Sequence, residues 1–190
     1  MYPALVLLYA AGLSAVAAEN YANLAALLGT RLRWERRERE AEAALILADA
    51  SITRHDVWRH LSGREREFTP LSNYLWEVLR EPLRACLPDD ADYEETFDWF
   101  EYLLALAHCD LRMKANPKDV WGPVGRFGWR VAHGLSRIVD DTQLEGRPTP
   151  PRVCSAIAAG LFTGPRETRR FVEVKTEYDK FLAEATRGWW

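Results

Sequence analysis

Residues 93–115, YEETFDWFEYLLALAHCDLRMKA, limit the possible folds more than any other stretch of the chain. Phe97, Phe100, Leu103, Leu104, Ala107 and Leu111 recur at helical spacing, and Trp99 and Leu106 widen the face they form. A helix this broadly apolar needs cover on more than one side, so the remaining sequence has to supply several neighbours. The acidic run PDDAD at 88–92 precedes it, where carboxylates are favoured by the positive end of the helix dipole. The pattern predicts a central helix.

The opening run LLYAAGLSAVAAENYANLAALL, residues 7–28, admits three readings: a signal peptide, a membrane span or a buried helical hairpin. No side-chain charge precedes the apolar run, as a secretory signal requires. Glu19 and Asn20 interrupt it, and no Lys or Arg flanks its N-terminal side to orient a span. A hairpin accounts for more residues. Pro3 suits a first helical turn, Leu5, Leu8, Gly12 and Ala15 share one face, and Tyr21, Leu24, Ala25 and Leu28 begin a second helix after the Glu19-Asn20 turn. Gly12 and the alanines then allow the two helices to approach closely.

The 190 residues suit one domain; 48% apolar and 28% charged residues exclude disorder as the main state. A net charge of −3 argues against a dedicated nucleic-acid binder. Three widely spaced cysteines, Cys86, Cys109 and Cys154, fit buried thiols in a reducing, cytoplasmic setting better than a disulfide framework or zinc knuckle.

Along the chain, RLRWERREREAE at 31–42 reads as a solvated stretch leading into EAALILADA at 42–50, with TRLRW at 30–34 the one segment of strand character. Thr53 is a plausible cap for a short helix carrying Val57, Trp58 and Leu61. Thr69-Pro70 opens another helix that buries Leu71, Leu75, Val78 and Leu79 and stops at Pro82. NPKDVWGPVG at 116–125 is a loop. A helix over about 124–139 places Val124, Phe127, Val131, Leu135 and Ile138 together, and a last one spans about 165–187. The predicted class is all-α, a compact orthogonal or antiparallel array of about eight helices. Residues 1–145 form the helical domain, 146–151 a linker-like break, and 152–190 a C-terminal helical pair packed on the same domain.

The spacing of Leu8, Gly12, Tyr21, Leu24 and Leu28 resembles a tetratricopeptide-type helix–turn–helix, although that family has Ala where Leu24 stands and no second copy follows at its period. More broadly, TPLSNYLWEVLREPLRACLPDD, FEYLLALAHCDLR and WGPVGRFGWR look like helical regions of large bacterial multidomain proteins of defence or signalling type. That resemblance implies an accessory module, and a Met1 that marks a truncated or split chain.

Three polar constellations and a terminal tryptophan pair remain. The adjacent His55-Asp56 resembles metal-dependent phosphohydrolases of the HD type, and with His108 and Asp110 it defines a small metal-dependent hydrolase as the alternative function. That family needs a histidine upstream, and none precedes His55. Asp110 falls on the side of Phe100, Leu103 and Ala107, away from the polar stripe Asp98, Glu101 and His108; buried there, it needs a partner, and Lys114 one turn on is the obvious one, with Arg130 an alternative. Arg126, Arg130, His133 and Arg137 line one helix face, free to meet a partner or nucleic acid, or answered internally by Glu94, Asp98 and Glu101. Trp189-Trp190 would bury apolar area by docking on this domain or on a partner. The function expected is a non-enzymatic adaptor in a bacterial cytoplasmic assembly, acting on a protein partner or partner domain. Nucleic-acid binding through the Arg126–Arg137 face is a second alternative, and no membrane association, catalytic residue, metal or cofactor is expected.

Overall fold

The computed structural model describes residues 2–34, 39–52, 58, 60, 62–142, 150–162 and 167–188. Among them are nine helices and one two-stranded sheet, so the fold is all-α with a small β-hairpin. The predicted Thr53 helix and Trp189-Trp190 lie outside the described residues.

α1 (Tyr2–Ala17) and α2 (Tyr21–Gly29) form the expected hairpin. Its turn has two bonds closing the end of α1, Glu19 N–H to Val16 O and Asn20 N–H to Ala15 O, with Glu19 in the left-handed region at φ 52°. Asn20 then caps α2 by accepting from Asn23 N–H at 3.1 Å. Gly12 serves a different neighbour from the one expected: its missing side chain makes room for the Phe100 ring of the central helix, not for α2.

The stretch read as solvated is instead the β-hairpin of β1 (Arg31–Trp34) and β2 (Arg39–Glu42), paired antiparallel with Leu32 opposite Ala41. Alternation explains it. Leu32 and Ala41 turn inward while Arg31 reaches across to Glu40 and Glu42, at 3.5 and 3.6 Å. α3 (Ala43–Ile52) follows directly, burying Ala44, Ile46 and Leu47.

α4 (Pro70–Arg80) starts behind Thr69 and ends before Pro82, as its punctuation predicts. α5 (Asp90–Ala115) is the central helix, capped by Asp89, whose carboxylate accepts from Ala91 N–H at 2.7 Å. Every residue from Thr96 to Asp110 is buried. α1, α3, α6 (Arg126–Ala132), α7 (Ile138–Asp141) and α9 (Glu167–Ala185) all pack on it, while α2 bridges α1, α3 and α8 (Pro151–Ala158), and α8 also meets α9. The polar stripe of α5 therefore faces protein, not water.

The helix expected over 124–139 is broken in two. Gly134 sits at φ +67°, where a side chain is disfavoured, and the Arg130 guanidinium reaches past the helix end to the Leu135 carbonyl at 2.9 Å. The break carries Leu135 out to 53% exposure, although the periodicity placed it inward.

Candidate functional site

With α5 covered on every face, its polar residues had to find partners inside the protein. Asp110, 1% exposed, is held by Arg170 Nε at 2.6 Å and Lys114 Nζ at 2.7 Å. The Lys114 pair is the one its spacing predicts. Arg170, 60 residues away, ties α9 to the same carboxylate. His108 is fully buried, with its ring 4.9 Å from that of Trp121 and its Nδ1 3.3 Å from the Trp121 carbonyl oxygen.

Glu101 is the most unusual of the set. The sequence offered it as a partner of the basic stripe, but among the described residues no cation pairs with it. It accepts from Ser72 Oγ at 2.6 Å, Tyr9 Oη at 2.9 Å and Phe127 N–H at 3.3 Å. Gly125 makes this possible, because any side chain there would collide with the Glu101 carboxylate. The Ser72 hydroxyl in turn accepts from Arg126 N–H at 2.8 Å, so one carboxylate joins α1, α4, α5 and the start of α6. Burial pushes its pKa up from 4.5 to about 7, against the lowering effect of its three donors and with the nearby charge of Asp98 adding to the rise.

The basic stripe is divided by the helix break. Arg126 pairs with Glu94 at 2.5 Å and lies 4.5 Å from the centroid of the Trp76 ring. Arg130 pairs with Glu94 and with Asp98, the latter at 2.9 Å. It partners Asp98 and not Asp110, for which it was the alternative cation. His133 stacks on Trp129 with ring centroids 4.3 Å apart. Arg137 precedes α7, is exposed, and has no ion pair among the described residues.

Arg137 and Arg130 reach a cleft of about 750 Å³, a size common for ligand sites. Its walls are the N-terminal half of α5, the α6–α7 connection, the start of α8 and Glu19 of the first turn. Trp99, Ile138 and Val153 give it an apolar lining, and half-exposed Leu135 stands at its edge. Asp98, 3% exposed, is its most buried carboxylate. Arg130 and Ser136 favour its charged form, yet burial outweighs them and raises its pKa. Among the described residues, the buried Asp98 Oδ1 meets no donor with hydrogen-bond geometry. Opposite, Arg152 bridges Glu95 and Glu19, the latter at 3.8 Å.

Sequence reasoning found Asp98, Arg130 and Arg137 but not the cleft between them, because its far wall comes from the start of α8. Arg152 follows the proline pair that reads only as a break. Of the hydrolase constellation, His55 and Asp56 lie outside the described residues, while His108 and Asp110 are engaged as above. Among the described residues no group of three or more His, Cys, Asp or Glu is placed to hold a metal ion. No described helix is long and apolar enough to cross a membrane. Compared with protein-family models, with curated proteins and with solved structures, the chain matches none.

Proposed function

We propose that this chain is a non-enzymatic interaction module of a bacterial cytoplasmic assembly of defence or signalling type, and that its cleft receives a segment of a partner protein. The cleft is the observation that carries the reading. It is roomy, and it joins an apolar lining to walls of paired charges, the composition that protein recognition sites share. Six of the ionisable side chains around it, Glu19, Glu94, Glu95, Asp98, Arg130 and Arg152, are held in ion pairs rather than arranged as a nucleophile with its base. Nucleic-acid binding along the Arg126–Arg137 face has less support, since Arg126 and Arg130 are already neutralised by Glu94 and Asp98.

A photo-reactive amino acid at Leu135, expressed in the native host, tests this. A single covalent protein product, absent when the same group replaces exposed Val172 on α9, is the expected result. Equal labelling at both positions, or none at Leu135, would overturn the reading.

A further inference from the structure

We propose that Glu101 is a proton-operated latch on the start of α6: protonated, it keeps that helix closed over α5, and ionised, it favours opening of the first turn of α6 to water. The inference does not depend on a partner in the cleft, since every group it uses belongs to this chain.

The latch is built on the backbone of α6. Gly125 stands at the cap position of this helix and has no side chain to give, so the first two N–H groups are met from elsewhere. Arg126 N–H goes to Ser72 Oγ at 2.8 Å, and Phe127 N–H to Glu101 Oε2 at 3.3 Å. Ser72 itself donates to Glu101 Oε1, so both bonds lead to one carboxyl group. Behind them, Tyr178 Oη pins the Pro123 carbonyl at 2.7 Å and gives the turn a fixed point to open from. The other two donors to Glu101 sit on longer helices, Tyr9 on the 16 residues of α1 and Ser72 on the 11 of α4. The seven residues of α6 make the longest of the three bonds, and are the side that gives way.

Charge makes the joint sensitive to protons. Glu101 is 2% exposed, and among the described residues no cation pairs with it. The titratable and charged groups facing it are Asp98 and Tyr93 on α5, Tyr9 on α1, Tyr178 on α9, and Arg126 and Arg130 on α6, whose guanidinium groups are drawn away to Glu94 and Asp98. α4 presents the Ser72 hydroxyl. Burial holds the three tyrosines neutral, and holds the Glu101 proton up to about pH 7. With that proton on Oε1, the Ser72 or Tyr9 hydroxyl turns to accept it and Phe127 N–H keeps Oε2. Without it, a buried anion has only neutral donors, and water is the missing solvation. α6 also carries Arg130, which reaches Glu94, Asp98 and the Leu135 carbonyl, so the opening loosens the cleft wall as well.

The open state is a minor one, because buried Phe127 leaves the core with it, and hydrogen exchange detects such states. The full chain is followed by NMR from about pH 6 to about pH 8, each amide rate being divided by its unprotected rate. Phe127 N–H is expected to exchange faster than the Leu103 and Leu104 amides inside α5, with protection that falls about tenfold over the range and levels off above about pH 7. In Glu101→Gln the protection should not change with pH. If that variant fails to fold, the ¹³C signal of the Glu101 carboxyl in the parent chain serves instead, its midpoint coinciding with the pH where Phe127 protection levels off. Exchange of Phe127 in step with Leu103 and Leu104 at every pH would mean that only the whole molecule opens. That result, an equal fall in the Gln variant, or a Glu101 midpoint below about pH 5.5 would each overturn the proposal.

Discussion

Replacing Glu101 with Gln should change how the stability of this protein depends on pH, and the size of the change follows from the site. The folded chain holds the Glu101 proton up to about pH 7, while an ordinary glutamate carboxyl titrates at 4.5. A tenfold change in proton affinity is worth about 1.4 kcal/mol, so ionising the folded residue costs about 3 kcal/mol more than ionising it in the unfolded chain. Between those two pKa values the folded state binds more protons than the unfolded one. Stability therefore falls as pH rises from 4.5 through about 7, and is flat in this residue above and below. Gln removes the titration. It keeps one oxygen for Ser72 and Tyr9, but sets an amide NH₂ against Phe127 N–H where Oε2 now accepts. That mismatch costs about 1–2 kcal/mol at every pH. The variant should be the less stable protein at about pH 5 and the more stable by about 1–2 kcal/mol at about pH 8.5, with the curves crossing between. Urea unfolding followed by tryptophan fluorescence across that range measures both. Asp179 also titrates upward on burial, but does so in both proteins and cancels in the difference; Asp98 cancels likewise except for its coupling to the Glu101 charge, which belongs to the effect being measured. A variant-minus-parent difference that stays constant with pH would refute the account of Glu101 as a buried, uncompensated carboxylate.

Two further substitutions probe the ion pairs. Arg130→Glu places a third carboxylate beside Glu94 and buried Asp98 and should cost about 3–5 kcal/mol or prevent folding, whereas Arg137→Glu, exposed before α7, should stay within about 0.5 kcal/mol. Equal melting temperatures for the two variants would show that the stripe is not divided as described. Asp110→Asn removes the charge that Arg170 and Lys114 share and sets an amide NH₂ against one of them; because both cations retain some access to water, the expected loss in urea unfolding is about 2–3 kcal/mol, and no loss would mean the carboxylate holds α9 only incidentally.

How far the sequence could be read depended on whether a residue's partner was close by in the chain. Thr69-Pro70 and Pro82 bracket α4 because proline acts on its own backbone, and Asp110 with Lys114 is visible because four residues make one helical turn. The wide apolar face of α5 gave its central place. Of its polar side, the pairing of Asp98 with the Arg126–Arg137 face is among the readings the sequence offers, whereas the surroundings of Glu101 and His108 are not. The partners of these two come from Ser72 and Tyr9, and from Trp121, and nothing within α5 announces them. Of the β-hairpin only the first strand was visible, as the strand character of TRLRW at 30–34; its partner escaped because a four-residue strand leaves only two inward positions, too few for alternation to stand out among so many charges. The helix through 124–139 had the right period, but one glycine at positive φ ended it, and that break is what opens the cleft wall.

The encircled central helix also bears on the order in which the molecule can be made. Glu101 accepts from Tyr9, 92 residues before it, while Asp110 waits for Arg170, 60 residues after it, and Tyr102 for Asp179, 77 after. A ribosome that has just released α5 has supplied one flank of its cover and not the other. Until α9 emerges, Tyr102 lacks Tyr178 and Asp179, which close over it, and the nascent chain carries an uncovered aromatic surface of the kind that chaperones hold. A chain lacking α9 is therefore expected to leave that surface open, however well its first half has folded.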